Sequence, residues 1–209
     1  MGKTLLENIN IFLYINSMAF ISYFFYLLAL VIIHSSAKSD SNFNNNEFKQ
    51  RLPKLGMSWK NCGPRNDPVQ LLSLVVSPEP VPIPGNFTVA LTLNSSRESS
   101  SPISATILVE RKVGPFFVKV PCLENIGSCS YADMCGEWAK FCPKYLEKYG
   151  FTCTCPMPPK SFVIQDAPFS VTSVIPPEFL GDYRVTADIS TKEGHATCIQ
   201  IELAVKSGK

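Results

Sequence analysis

Catalytic motifs are missing from this chain. No G-x-S-x-G elbow, no H-E-x-x-H pair and no glycine-rich phosphate loop occurs in it, which excludes the common hydrolase, zinc-protease and nucleotide-binding arrangements. Histidine is scarce as well. His34 falls in the N-terminal segment, and His195 sits in a Lys-Glu-Gly-His turn where a solvated loop residue is expected. No C-x-x-C pair is present to place two thiolates on one zinc ion; the nearest spacing is the C-x-C of Cys153 and Cys155. Charge is low and unclustered. The 19 Lys and Arg against 17 Asp and Glu leave a net +2 spread along the chain, so no surface for nucleic-acid phosphates is expected. Asp133 and Glu137 lie one helical turn apart, and a solvated helix face accounts for them better than acid/base work. No catalytic residue, metal or cofactor is expected, and the chain does not read as an enzyme.

Cysteine, in contrast, is plentiful. Six of the eight (Cys122, Cys129, Cys135, Cys142, Cys153 and Cys155) lie between Pro121 and Pro156, while Cys62 and Cys198 bracket the rest. The even count points to four disulfides, which leaves no nucleophilic thiol. The N-terminus agrees with that chemistry. From Met18 to Ile33 only Ser22 interrupts an apolar run, Lys3 precedes it, and the small residues Ser35 and Ala37 follow. Residues 1–37 therefore read as a signal peptide; the alternative is an uncleaved anchor counted back to Ile9. Either places the remainder in an oxidising compartment, where disulfides persist. Residues 38–57, polar and rich in Asn, read as a disordered leader. Residues 58–209 read as one domain, with order starting at Ser58 and Trp59.

Within that domain the apolar period is two. Phe87, Val89, Leu91 and Leu93 alternate with small polar residues, as do Ile103, Ala105, Ile107 and Val109. Residues 69–76, 116–120, 169–175, 183–189 and 198–205 follow the same pattern, separated by Pro and Gly turns. Only Tyr131 to Tyr149 has helical composition, and Pro143 is expected to split it into two short pieces. The fold class is all-β: an immunoglobulin-like antiparallel β-sandwich with a disulfide-rich short-helix segment. Two N-x-S/T sequons, at Asn86 and Asn94, flank one of its strands and are candidate glycosylation sites.

Apolar residues are over-supplied outside that alternation. Val81, Ile83, Phe116, Phe117, Met134, Trp138, Phe141, Phe151, Phe162, Val163, Ile164, Phe169, Phe179 and Leu180 fall in loops, in the cysteine-rich stretch or at strand ends. Together they imply sheets held apart at one end around an apolar cavity. Such a cavity suits a membrane lipid, whose ~30 chain methylenes at ~0.8 kcal/mol each face ~24 kcal/mol against bare water. An open groove would not offset that cost.

The motifs also carry a family resemblance. They are Ser58-Trp59-Lys60-Asn61-Cys62 with Asp67-Pro68, Pro84-Gly85-Asn86-Phe87-Thr88-Val89, and Pro121-Cys122 with Ile126-Gly127-Ser128-Cys129. To these add Tyr149-Gly150 with Cys153-Thr154-Cys155-Pro156, Gly181-Asp182-Tyr183-Arg184, and Cys198-Ile199-Gln200-Ile201. From about Ser58 to Lys206 the chain resembles the ganglioside-activating members of the lipid-recognition (ML-domain) family of cup-shaped β-sandwiches. The resemblance implies bridges Cys62 with Cys198, Cys122 with Cys129, Cys135 with Cys155 and Cys142 with Cys153, and a glycan at Asn86. It implies a lysosomal, or also secreted, non-enzymatic protein that lifts a GM2-like ganglioside from a membrane. The ceramide would be held in the cup and the sugar presented to β-hexosaminidase A. The segment between Cys135 and Cys142 is shorter than the family pattern, and Phe179-Leu180 stands where a tryptophan is usual.

Ile107, Val109, Val118, Trp138, Phe141, Phe169 and Val171 are expected to line or close the cavity. The expected membrane-dipping loop is Pro176, Pro177, Phe179 and Leu180. Expected partners are a glycosphingolipid or other membrane lipid, transiently the membrane surface, and the hexosaminidase. The competing readings are a lipid carrier of different specificity and a secreted or membrane-tethered immunoglobulin-like interaction module.

Overall fold

Two-residue periodicity carries most of the chain into strands. The structure, a computed structural model, describes residues 56–123, 125, 127–172 and 176–208, with the side chains of Phe141, Lys144, Tyr145 and Glu178 excepted. The signal peptide and nearly all of the leader expected above lie outside that range. Among the described residues the strands are β1 (Ser58–Asn61), β2 (Val69–Ser77), β3 (Val81–Ile83), β4 (Gly85–Ser95), β5 (Ile103–Val113) and β6 (Phe116–Lys119). They continue with β7 (Ser130–Tyr131), β8 (Lys160–Val171), β9 (Gly181–Thr191) and β10 (Gly194–Ser207). One helix, α1 (Cys135–Tyr145), interrupts them.

The strands form two layers. A seven-stranded sheet runs β1-β10-β9-β5-β6, with β3 on β10 and β7 on β5; the second sheet runs β2-β4-β8. All pairings are antiparallel except β3 with β10. The chain is thus an all-β antiparallel sandwich. Inward positions are apolar on both sheets: Phe87, Val89, Leu91 and Leu93 on β4 face Ile103, Ala105, Ile107 and Val109 on β5 and Tyr183, Val185, Ala187 and Ile189 on β9, all buried. The two layers come together through β1 and β10 against β2 and through β3 against β4.

Three sequence expectations change. The strand expected over 169–175 is the far end of β8, which begins at Lys160 and takes in Phe162, Val163 and Ile164; its central Gln165, Asp166 and exposed Pro168 hid the alternation. The proline cluster contains a real strand, β3. It lies at an edge, where Pro82 loses no ladder bond that the sheet needs. Pro143 does not split the helix but is carried inside α1 near its end, where its missing N–H removes a single bond.

The disulfides join Cys62 to Cys198, Cys122 to Cys129, Cys135 to Cys155 and Cys142 to Cys153, the four pairs implied by the resemblance. The first closes a separation of 136 residues between the end of β1 and β10. By chain entropy it contributes about 5 kcal/mol.

Candidate functional site

The sandwich has two unlike ends. At one, α1 and the segment after it plug the space between the sheets. Trp138 is fully buried, and its Nε1 donates to the Thr152 carbonyl at 2.9 Å. Its ring meets Phe151, which stacks on Phe162 of β8 at 3.7 Å between centroids. Met134 and Leu146 fill the rest. Two bridges, Cys135–Cys155 and Cys142–Cys153, tie the helix to that segment. Asp133 anchors the plug to β5: it accepts from the Ser101 hydroxyl and from the N–H groups of Cys135 and Ile103. Those bonds, the Ser101 one first, hold its carboxyl below the usual range. Asp133 and Glu137 are thus not an acid/base pair; Glu137 pairs with exposed Lys140 at 2.7 Å.

At the other end the β5–β6 hairpin projects. Its register pairs Val113 with Phe116 and Arg111 with Val118, so these four share the face that carries Ile107 and Val109 farther down β5. Beyond the rim no described residue covers that face: Phe116 is 71% exposed, with Val113, Val118 and Leu123 also open to solvent. The loop behind the hairpin is pinned by Cys122–Cys129 and by Gly127, whose φ of 96° and 2.1 Å approach of Pro121 O to the Cβ position admit only glycine. Beside the hairpin, Pro176–Leu180 forms a single 3₁₀ turn over Pro177–Phe179. Its aromatic and aliphatic side chains turn inward: Phe179 and Leu180 are half-buried against the core. Two donors hold the backbone there, Tyr183 Oη to the Phe179 carbonyl (2.6 Å) and Arg111 Nη2 to the Leu180 carbonyl (3.0 Å).

The residues expected to line a cavity therefore separate. Ile107 and Val109 lie in the interior of the large sheet, and Val171 and half-buried Phe169, stacked on Phe87 at 5.5 Å, lie at the hairpin end of the small one. Val118 is a rim residue, 51% exposed, because β6 is an edge strand with no opposing layer. Trp138 belongs to the plug, roughly 20 Å away along β8 at ~3.3 Å per residue. The Phe141 side chain lies outside the described set. Of the proposed membrane loop, Pro177 is exposed and Pro176 half-buried.

Outside the sandwich, an open cleft of about 460 Å³ lies over the outer face of the large sheet, bordered by Glu79, Lys112, Phe117, Asp182, Arg184 and Glu202. Four of its charges are paired, Lys112 with Asp182 at 3.4 Å and Arg184 with Glu202 at 2.8 Å, and the Arg184 guanidinium caps the Phe117 ring at 3.7 Å. Among the described residues no group of His, Cys, Asp and Glu could hold a metal ion, and no helix is long and apolar enough to cross a membrane.

Comparison with known proteins agrees with this architecture. The ML-domain family model matches residues 56–205. The chain belongs to the ML-domain family. It is 33% identical over 166 residues to the ganglioside GM2 activator of Mus musculus, covering 75% of this chain and 86% of that protein. It is 34% identical over 164 residues to the ganglioside GM2 activator of Macaca fascicularis, covering 74% and 86%. Among solved structures, similarity extends to a Niemann-Pick type C2 protein from the Japanese carpenter ant (11% identity, TM-score 0.39, 71% of this chain and 99% of that one). It extends also to chicken MD-1 complexed with lipid IVa (14% identity, TM-score 0.36, 71% and 88%).

Two further features of this ML domain bear on the sequence reading. His195 is no free loop residue. Its Nδ1 lies 2.8 Å from Asp67 Oδ1 and its Nε2 3.5 Å from Asp188 Oδ2. Partial burial pulls its pKa down, but the hydrogen bond and charge of Asp67, with help from Asp188, outweigh that and hold it above its ordinary value. The sequon asparagines are the second and the second-last residues of β4, at its two ends. Asn86 is exposed, while half-buried Asn94 accepts from the Ser161 hydroxyl at 2.8 Å. Sequence reasoning missed Arg111 as well, although the signal was visible: a charge at an inward position that continues Ile107 and Val109.

Proposed function

We propose that this ML domain is a non-enzymatic lipid-binding activator or transfer protein. It takes a glycosphingolipid such as a GM2-like ganglioside from a membrane, shelters the ceramide between the two sheets, and offers the sugar to β-hexosaminidase A. The observation that carries the reading is the apolar face running from Ile107 and Val109, past the single charge of Arg111, out to the solvent-exposed Val113, Phe116 and Val118. It gives acyl chains one greasy path from bilayer to interior. The hairpin tip is the membrane-contacting element, with Pro177 a neighbour at the surface. Relatives named ganglioside GM2 activator, at 33–34% identity, support the class of ligand. The compartment that fits is the lysosome, reached by secretion, with a glycan on exposed Asn86 and a second candidate at half-buried Asn94. Solvent extraction of the purified protein, followed by transfer of labelled ganglioside between vesicles, tests the reading; a chain that neither carries lipid out nor moves it overturns the proposal.

One observation favours a second reading, an immunoglobulin-like interaction module: Leu72, Val75 and Val163 are exposed on β2 and β8 of the small sheet. Polar substitution of these three that abolished a protein association and spared lipid transfer would assign that face to a partner.

A further inference from the structure

The inward faces of the seven-stranded sheet are uncharged with one exception among the described residues. Arg111 is paired across β5–β9 with buried Tyr183 and across β5–β6 with Val118, so its side chain leaves the sheet on the same side as Ile107 and Val109. It stands where the apolar face passes from the interior to the rim. A guanidinium offers five N–H donors. Nη2 is used by the Leu180 carbonyl, and Nε is buried with no acceptor. A buried donor left unmet is a cost that native structures rarely retain without a use. The edge formed by Nε and Nη2 is the one that takes anions in two-pronged fashion. Across from it the chain presents Gly181, whose absent Cβ would stand 4.0 Å from both nitrogens and whose φ of 131° disfavours any side chain.

We propose that Arg111 is the headgroup receptor of this domain: it binds an anionic oxygen pair of the lipid, a phosphate or a sugar carboxylate, at the boundary between acyl chains and solvent. The inference rests on the lipid-binding reading and adds selectivity to it. Tails are sorted by the apolar face, headgroups by one cation. Neutral lipids of the same chain length enter but leave Nε unmet. Anionic ones satisfy it.

The test uses the full secreted protein and fluorescent lipids of matched acyl chains: galactosylceramide as the neutral probe, phosphatidylglycerol for phosphate, and a sialylated glycosphingolipid for carboxylate. The wild type binds at least one anionic probe about tenfold more tightly than the neutral one, the scale of a single hydrogen bond to a charged group. Arg111→Met removes that preference and leaves galactosylceramide binding in place, which also shows that the variant is folded; Arg111→Lys restores part of it. Whichever of the phosphate and carboxylate arms loses more in Arg111→Met identifies the headgroup. An anionic-to-neutral ratio unchanged by Arg111→Met overturns the inference while leaving the lipid reading intact. A wild type that binds none of the three probes overturns both.

Discussion

The β5–β6 hairpin and the Pro176–Leu180 loop are neighbours made of similar material. One reads Val-Gly-Pro-Phe-Phe, the other Pro-Pro-Glu-Phe-Leu, and both join strands at the same end of the sandwich. Their apolar side chains nevertheless go opposite ways. Phe116 is mostly open to solvent because β6 is an edge strand and no described residue covers it. Phe179 and Leu180 have a core to pack on and two backbone acceptors, the Phe179 and Leu180 carbonyls, that Tyr183 and Arg111 hold in place. Aromatic content marks both loops as surplus. Burial sets them apart: one packs on the core and the other stands open to solvent.

The comparison can be broken by substitution. Phe116→Ser with Val118→Ser has the largest expected effect: two side chains at ~1.5 kcal/mol each make vesicle-to-vesicle transfer fall on the order of 100-fold, with denaturant midpoints unchanged. Phe179→Ser and Leu180→Ser do the reverse. Each lowers unfolding stability by about 1–2 kcal/mol and affects transfer less than the hairpin pair does. Should the second pair abolish transfer in a protein of unaltered stability, the roles assigned to the two loops are exchanged. Tyr183→Phe sharpens the contrast. It removes the hydroxyl that holds the Phe179 carbonyl, costs about 1 kcal/mol, and raises hydrogen exchange at the 3₁₀ turn without changing exchange in the hairpin.

The smallest effect lies at the opposite, plugged end. His195 has a folded-state pKa above its unfolded value, so the stabilisation from Asp67 and Asp188 is fully present below the ordinary value of ~6.5. It is lost as pH rises through the raised folded value. Urea midpoints are therefore higher at pH 5 than at pH 8 by a modest margin, and His195→Gln removes that part of the difference. An acidic compartment favours the folded domain on this account, before any effect of lipid charge.

Much of this was legible in the chain, for identifiable reasons. The strand around Phe87–Leu93 and the one beginning at Ile103 show in alternation because each has one buried and one wetter face. β8 did not, because a bulge beside Val89 and Leu91 and a charged Asp166 at φ 50° break its period. His195 looked solvated because Asp67, its main partner, is 128 residues away and reaches it through the packing of β10 beside the Cys62–Cys198 bridge. Trp138 is buried, as its composition suggests, but composition does not tell at which end of a sandwich a ring will pack.

Sequence alone determined the layer class, the oxidised cysteine pairs through their flanking motifs, and the absence of recognisable catalytic machinery, because periodicity and short motifs are local properties of the chain. Tertiary structure alone decided which apolar loop faces outward, which histidine is clamped, and that one inward arginine keeps an unmet donor. Those outcomes depend on what the opposing layer places within a few ångströms. No stretch of sequence contains its own surroundings.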